Sequence, residues 1–239
     1  VKLTIIQSKY YKVGDLYVVN GEPLGLVYEI SDGGAHGKVV ALKAHRDLNL
    51  WYRTGLPYDE IHPEDPNNVG VIARSETDGQ ENMKAYKQIP DWKTHYPVAA
   101  YVSDLNDENG NPGWYLPAIK EVQAMVGWID GEVLSPDGEA GQEPSEAMKE
   151  KRKAINQLIV DNGGNEFYFY GYDVSFIIDQ TNAWEADYFN RIYTSTETDY
   201  QVHPMVFKFY LRNGWWENMH IYGDLAGRGY GEIRPFLAF

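Results

Sequence analysis

The sequence contains no cysteine. This absence excludes disulfides, thiolate metal sites and thiol nucleophiles, and leaves an oxidising, extracellular compartment open. Basic residues are also few, since 21 lysines and arginines stand against 35 aspartates and glutamates, a formal net charge of −14. A protein that tracks nucleic-acid phosphates needs a basic surface, and an anionic membrane surface repels an acidic chain. The composition therefore predicts neither nucleic acid nor a membrane surface as a partner.

Long hydrophobic runs are missing as well. No apolar stretch approaches the roughly 20 residues that a membrane-spanning helix needs, so we expect no membrane insertion by this segment. The chain begins at Val1 and shows no signal-peptide pattern. Any targeting segment is therefore expected to lie outside it.

Motifs for catalysis and metal binding are equally scarce. The histidines never fall at ligand spacing, and neither a Gly-x-Ser-x-Gly elbow nor a phosphate loop occurs. The run 104–110 resembles a calcium loop but fails the glycine and glutamate spacing of such loops. Carboxylate pairs arise by chance among so many acidic residues, and no particular pair supports a glycosidase. We expect no metal, cofactor or catalytic residue, with a carboxylate-dependent glycoside hydrolase as an open alternative.

Aromatic residues and glycine are abundant instead, with 19 tyrosines, seven tryptophans and 23 glycines. This composition favours strands and loops over helical bundles. Residues 11–42 read as a β-meander, with strands at 16–19, 24–30 and 38–42 and a tight turn at Asn20-Gly21. An alternating run at 2–7 predicts a further strand, which is either the first of this domain or the last of an upstream β-sandwich module.

Four segments carry helix signals. They are 79–88, 97–105, the segment that starts at Pro117, and 145–161 with Ser145 as its cap and Asn162-Gly163-Gly164 as its stop. Residues 107–113 read as a turn. From Phe167 onward the chain is aromatic and strand-like, and a hairpin is predicted from strands at 207–211 and 215–216.

Three short runs carry a family resemblance: Gly-Trp-Tyr-Leu-Pro at 113–117, Tyr-Thr-Ser-Thr-Glu at 193–197 and Ile-Arg-Pro-Phe-Leu-Ala-Phe at 233–239. In this order the chain resembles domains typified by the C-terminal domain of the Legionella collagen-like protein, a branch of the C-type lectin-like fold found in Bacteroidetes surface proteins. It departs from the family pattern at Tyr193 and Thr194, where tryptophan and serine are usual. Residues 171–190 look like an insertion.

The resemblance implies an α+β, C-type lectin-like fold with two main helices, a twisted antiparallel sheet and a terminal strand beside the first. It covers 11–239 as a single domain, which leaves 1–10 as the leading strand. The runs themselves are better explained as scaffold: Trp114 and Leu116 as core anchors, the last strand as core or edge. Arg234 is expected to pair with a carboxylate, and Glu197 is the suggested partner.

The resemblance implies that the ligand-binding surface lies between the second and third runs, because in this fold the loops before the terminal strand face the ligand. Exposed aromatics stack on sugars or fill partner pockets, and amides and carboxylates add polar contacts. Adjacent strand residues alternate between faces, so Trp215 and Trp216 are expected to divide between core and surface. The predicted ligand-binding residues are Trp215, Trp216, Asn218, His220, Tyr222, Asp224, Arg228 and Tyr230, with Trp184, Asp187 and Tyr188 in the apparent insertion as a second set.

These observations favour a non-catalytic, ligand-binding domain of a secreted or surface-anchored bacterial protein, adhesin-like or glycan-binding. The expected partner is a glycan or a host or bacterial surface protein, and the expected location is extracellular or at the outer membrane. The calcium triplets of sugar-binding lectins of this fold do not occur, so lectin-type calcium chemistry is not expected. A structural domain of a surface assembly is a further alternative.

Overall fold

The computed structural model describes residues 10–46, 72–109, 113–131, 145–168, 191–197, 204–208, 215–218 and 231–239. The predicted strand at 2–7 and the apparent insertion at 171–190 lie outside these residues. Among the described helices, none has the length and apolar character to cross a bilayer.

Strands form two antiparallel sheets. They are β1 (Leu16–Val19), β2 (Glu22–Ser31), β3 (His36–Ala41), β4 (Arg191–Glu197), β5 (Pro204–Lys208), β6 (Trp215–Asn218) and β7 (Phe236–Ala238). The first sheet has the order β1-β2-β3-β7 and the second has the order β4-β5-β6. Asn20 and Gly21 both have positive φ, 52° and 89°, as the tight hairpin turn requires. The predicted meander is therefore confirmed.

Five helices lie within the described residues. They are α1 (Gly79–Tyr86), α2 (Trp92–His95), α3 (Pro97–Asn109), α4 (Ile119–Asp130) and α5 (Glu146–Asp161). The Ser145 hydroxyl accepts a hydrogen bond from Met148 N, which confirms the predicted cap of α5. Gly163 follows the helix with φ 74°, as a helix stop requires.

Two sequence predictions about the helix ends were wrong. Residues 107–109, predicted as the start of a turn, continue α3. The calcium-like run from Asp104 therefore begins within a helix rather than a loop, and Asp104 pairs with Lys93. Pro117 was predicted in the first turn of a helix, but Ala118 is the N-cap of α4, so Pro117 precedes it.

The architecture is a mixed fold of helices and open antiparallel sheets, which confirms the α+β class. It differs from the expected arrangement in two details. Among the described strands, the terminal strand β7 pairs with β3 and not with β1. Three helices, α3, α4 and α5, have 12 or more residues where two main helices were expected.

One cluster of buried side chains lies under both sheets. It includes Val39 and Phe236 of the first sheet, Val122 and Val126 of α4, and Tyr193 of β4, all at most 1 % exposed. Each such side chain contributes roughly 1.5–3 kcal/mol by leaving water. Helix α4 therefore holds the two sheets on a shared core. Trp114, Leu116 and Leu237 are buried in the same cluster, so their predicted role as anchors is confirmed.

Candidate functional site

Residues 215–230, which contain the first set of predicted ligand-binding residues, are called the ligand segment. It starts in the strand β6, which contains Trp215, Trp216 and Asn218. In the register of the second sheet, Trp215 lies opposite Lys208 and Trp216 opposite Phe207. The predicted hairpin is thus confirmed as a pair of antiparallel strands. The remaining predicted residues lie outside the described part of the chain: His220, Tyr222, Asp224, Arg228, Tyr230, Trp184, Asp187 and Tyr188.

Both ends of this segment are fixed on the second sheet. Asn218 ends β6 at one side of the sheet, next to β5. The chain is next described at Gly231, and Glu232 forms a parallel bridge with Ile192 of β4, the strand at the other side. Two strand spacings of about 4.8 Å separate β6 from β4, and the bridge adds a third. The two described ends of the segment therefore lie at opposite sides of the second sheet.

A buried charge cluster, which we call the Arg234 clasp, holds the returning end. It consists of Arg234, Glu232 and Arg46. Arg234 Nε donates to Glu232 Oε1 at 2.7 Å, and Arg46 Nη2 donates to Glu232 Oε2 at 3.0 Å. Arg234 is fully buried, and burial lowers the pKa of its guanidinium although Glu232 opposes the change.

The guanidinium of Arg234 also satisfies four backbone carbonyls. It donates to Ala41 O and Leu42 O at the end of β3, and to Asn165 O and Glu166 O after α5. The ring of Phe167 lies 4.1 Å from its central carbon. The planar guanidinium of arginine has five N–H donors and can bond all these acceptors. A lysine ammonium has three donors on one atom and cannot. The clasp therefore holds the chain in place directly after the ligand segment.

Glu197 is not the partner of Arg234, so the pairing suggested from the sequence was wrong. Its Oε2 accepts from the backbone N–H groups of Ile72 and Ala73 at 3.0 and 3.3 Å. The carboxylate instead holds the chain before α1 against β4. The actual partner is Glu232, two residues before Arg234 and directly before the terminal run.

A second buried carboxylate, Glu121, joins several elements. Its Oε2 accepts from Gly79 N and Ala118 N, and its Oε1 accepts from the Tyr115 hydroxyl at 2.8 Å and lies 3.0 Å from Lys38 Nζ. Burial and the Glu121 carboxylate raise the pKa of the Tyr115 phenol. The bond to Ala118 N is one half of a capping box, since Ala118 has no side-chain oxygen to complete it.

Glu121 and Glu232 have structural roles and are closed off from solvent. Glu121 and Glu232 are each at most 4 % exposed and accept hydrogen bonds at both oxygens. A catalytic pair of a glycosidase instead flanks a cleft that admits the sugar. Within the described ranges, no group of histidine or acidic side chains is arranged to hold a metal ion.

The structure also forms a cleft that sequence reasoning missed. It has a volume of about 530 Å³ and lies between the β1–β2 hairpin, the end of β3 and the ends of α3 and α5. The described lining residues are Glu22, Pro23, Leu24, Ala41, Leu42, Lys43, Leu105, Trp114, Asn162, Gly163 and Pro235. The sequence signals of these residues indicated other roles, such as a core anchor at Trp114 and a helix stop at Asn162-Gly163. The other residues come together through tertiary packing.

Comparison with known proteins gives one fold similarity. The chain shares its fold with a fimbrial protein. This protein is from Bacteroides ovatus, with a TM-score of 0.54 and 15 % identity over 96 % of the present chain. The chain spans about half of that protein, 49 % of its length. No protein-family profile matches the chain, and no curated protein is detectably similar to it.

The similarity to the fimbrial protein extends across almost all of the chain and concerns the fold alone, because the identity is low. It agrees with the mixed helix and antiparallel-sheet architecture described above. A fold similarity at this identity does not assign a family, so the C-type lectin-like family suggested by the three runs stays a prediction.

Proposed function

We propose that the chain is a non-catalytic, ligand-binding domain of a bacterial surface or secreted protein. The observation that carries this proposal is the fold similarity to the fimbrial protein across 96 % of the chain. The acidic, cysteine-free composition supports it, since such a chain suits an aqueous, oxidising exterior. The finer assignments, a C-type lectin-like domain over 11–239 and an adhesin-like or glycan-binding role, belong to the same proposal.

The proposed location of this function is the ligand segment. The ligand segment leaves the second sheet at Asn218 and returns at Gly231, where the Arg234 clasp holds the chain. A segment anchored at both ends loses less conformational entropy when it binds a ligand. We assign ligand contact to β6 and to the residues that follow it, with the set Trp184, Asp187 and Tyr188 as a second contact.

A glycan array tests this assignment. The isolated chain is screened together with the variants Trp215→Ala and Trp216→Ala, each with and without calcium. Loss of a central aromatic contact costs about 2 kcal/mol or more, so we expect at least one variant to bind roughly tenfold more weakly or worse. Trp92→Ala in α2 is the matched control, and we expect it to bind like the parent.

Two results would contradict the glycan-binding form. One is that no glycan binds the parent chain. The other is that both variants bind as well as Trp92→Ala does. Thermal melting of each variant separates a lost contact from a lost fold, because a variant that melts like the parent has kept its scaffold.

A structural role in a surface assembly is the second candidate, and the same fimbrial similarity favours it. The present chain matches about half of the fimbrial protein, so a chain of this fold occurs as part of a longer fimbrial protein. Failure on the glycan array together with concentration-dependent assembly in sedimentation velocity would favour this role. Binding of a glycan by a monomeric chain would favour the first.

A further inference from the structure

The cleft between the β1–β2 hairpin and α5 has the properties of a second binding site. Its described lining residues come from the first sheet, α3, Trp114 and the end of α5, and none of them belongs to β4, β5 or β6. Its volume of about 530 Å³ lies within the range of ligand pockets. It is therefore separate from the strand β6, which is the described part of the ligand segment proposed above.

The walls of the cleft are rigid. Leu42 O accepts from Arg234 Nη1 and from Asn165 N, and Leu42 N donates to Leu24 O. On the opposite side, the Asn106 side chain donates to Trp114 O and accepts from Trp114 N at 2.9 and 2.7 Å. A preformed cleft loses little entropy on binding.

The floor of the cleft favours an apolar occupant. The carbonyls of Leu24, Ala41 and Leu42 already accept protein hydrogen bonds. Pro23 and Pro235 have no backbone N–H to donate. A buried hydroxyl without a partner costs about 1–3 kcal/mol, so a sugar placed on this floor is disfavoured. Aliphatic groups meet the partly exposed side chains of Leu24 and Leu105 without such a cost.

The rim of the cleft carries one charge of each sign. Glu22 and Lys43 are both exposed, and neither makes an ion pair or side-chain hydrogen bond within the described part of the chain. Both charges are therefore available to an occupant. A polypeptide can present a basic and an acidic side chain on either side of apolar residues, and can so form an ion pair with each of the two charges.

We propose that this cleft binds an extended peptide segment of a partner protein, with bulky apolar side chains in the cleft and a basic and an acidic residue at its rim. The basic residue pairs with Glu22 and the acidic residue with Lys43. The aliphatic contacts with Leu24 and Leu105 supply most of the affinity, and the two rim pairs supply the preference for sequence.

Binding of labelled peptides by fluorescence anisotropy tests the cleft. The probes are the capped peptide Gly-Lys-Leu-Leu-Glu-Gly, the same peptide with the lysine and glutamate exchanged, and versions in which one charged residue is glutamine. We expect the peptide with both charges to bind. Leu24→Gln should weaken it about tenfold, because the substitution places an amide in the apolar contact. Val13→Gln, at an exposed apolar residue outside the cleft, is the matched control.

The rim charges are tested by pairing variants with peptides. At low salt, Glu22→Gln should weaken a lysine-bearing peptide about threefold and leave its glutamine version unchanged, as expected for an exposed ion pair. Lys43→Gln should show the same dependence on the peptide glutamate. Glu81→Gln and Lys84→Gln on α1 remove the same charges at exposed sites away from the cleft, and they should have no such effect.

Several outcomes would overturn the proposal. They are the absence of peptide binding up to about 1 mM, cleft variants that bind like their controls, or displacement of the peptide by maltoheptaose. Thermal melting of Leu24→Gln shows whether its fold is intact, and the rim variants provide the test if it is not. The proposal does not rest on the glycan-binding function, because Trp215→Ala and Trp216→Ala should leave peptide binding unchanged.

Discussion

Glu121 shows how much one buried residue decides in this molecule. Its two oxygens accept from the first residue of α1, the N-cap of α4 and the Tyr115 hydroxyl, and Lys38 of β3 lies beside them. In the sequence it is simply the acidic position of a helix motif. Its partners lie up to 83 positions away along the chain, at Lys38, and no local pattern connects them.

The phenols around Glu121 make stability depend on alkaline pH. Burial raises the pKa of Tyr115 and of Tyr28 above the ordinary value near 10. Below that value both phenols keep their protons in both states, and their contribution is constant. Above it the unfolded chain releases protons that the folded chain retains. Stability should therefore fall as pH rises beyond about 10, by about 1.4 kcal/mol per pH unit for each such residue.

Tyr115→Phe removes one of these groups. We expect the plot of unfolding free energy against pH between about 10 and 11 to become shallower by about 1 kcal/mol per unit, because the unfolded phenol is only partly ionised at the start of this interval. Tyr10→Phe, at a residue 64 % exposed, is the control and should keep the parent slope. Urea unfolding at a series of pH values measures both. Equal slopes for the two variants would contradict the assignment. The slope is compared rather than the absolute stability, because Tyr115→Phe also loses a hydrogen bond to Glu121.

At the level of elements, helix bounds show where local signals end. Ser145 and Gly163 mark the ends of α5 as their residue types predict. Helix α3 instead continues to Asn109 through residues that favour turns. Within this last part, the Asn106 side chain bonds both backbone groups of Trp114. The contact with Trp114, eight positions further along the chain, thus supports the end of the helix. A pattern of neighbouring residues does not predict such a contact.

The packing of α1 against the segment before α4 depends on Gly79. A Cβ atom at this position would lie 2.3 Å from Leu116 O and 2.9 Å from Ala118 N. Gly79→Ala should therefore lower the free energy of unfolding by about 2–3 kcal/mol, because α1 must move away from its neighbour. Gln80→Ala, at the exposed next residue, should change it by less than about 0.5 kcal/mol. Urea unfolding compares the two, and equal stability would show that the close approach is not required.

At the level of the whole molecule, the Arg234 clasp connects parts that are far apart in sequence. Arg234 bonds the end of β3 and the chain after α5, and its partner Glu232 bridges to β4 of the second sheet. The clasp therefore connects the first sheet, the chain that follows α5 and, through Glu232, the second sheet. The same side chain fixes one wall of the cleft and the returning end of the ligand segment.

Arg234→Ala should lower the free energy of unfolding by about 3–5 kcal/mol, because it leaves Glu232 buried with one partner fewer. Arg234→Lys should lie between this variant and the parent, since lysine keeps the charge without the planar donors. Lys153→Ala, at an exposed site on α5, should stay within about 0.5 kcal/mol of the parent. Urea unfolding followed by both fluorescence and circular dichroism measures these changes. A stability of Arg234→Ala equal to that of Lys153→Ala would contradict the role of the clasp.

The sequence by itself determined the local elements and the anchors. Turn residues such as Asn20-Gly21, the Ser145 cap and alternating strands act over a few positions, and buried anchors such as Trp114 and Leu116 follow from their apolar character. Only the tertiary structure decided that β7 pairs with β3, that Glu232 rather than Glu197 holds Arg234, and that a cleft with Glu22 and Lys43 at its rim exists. These features depend on contacts between residues far apart in the chain, and packing of the shared core selects them.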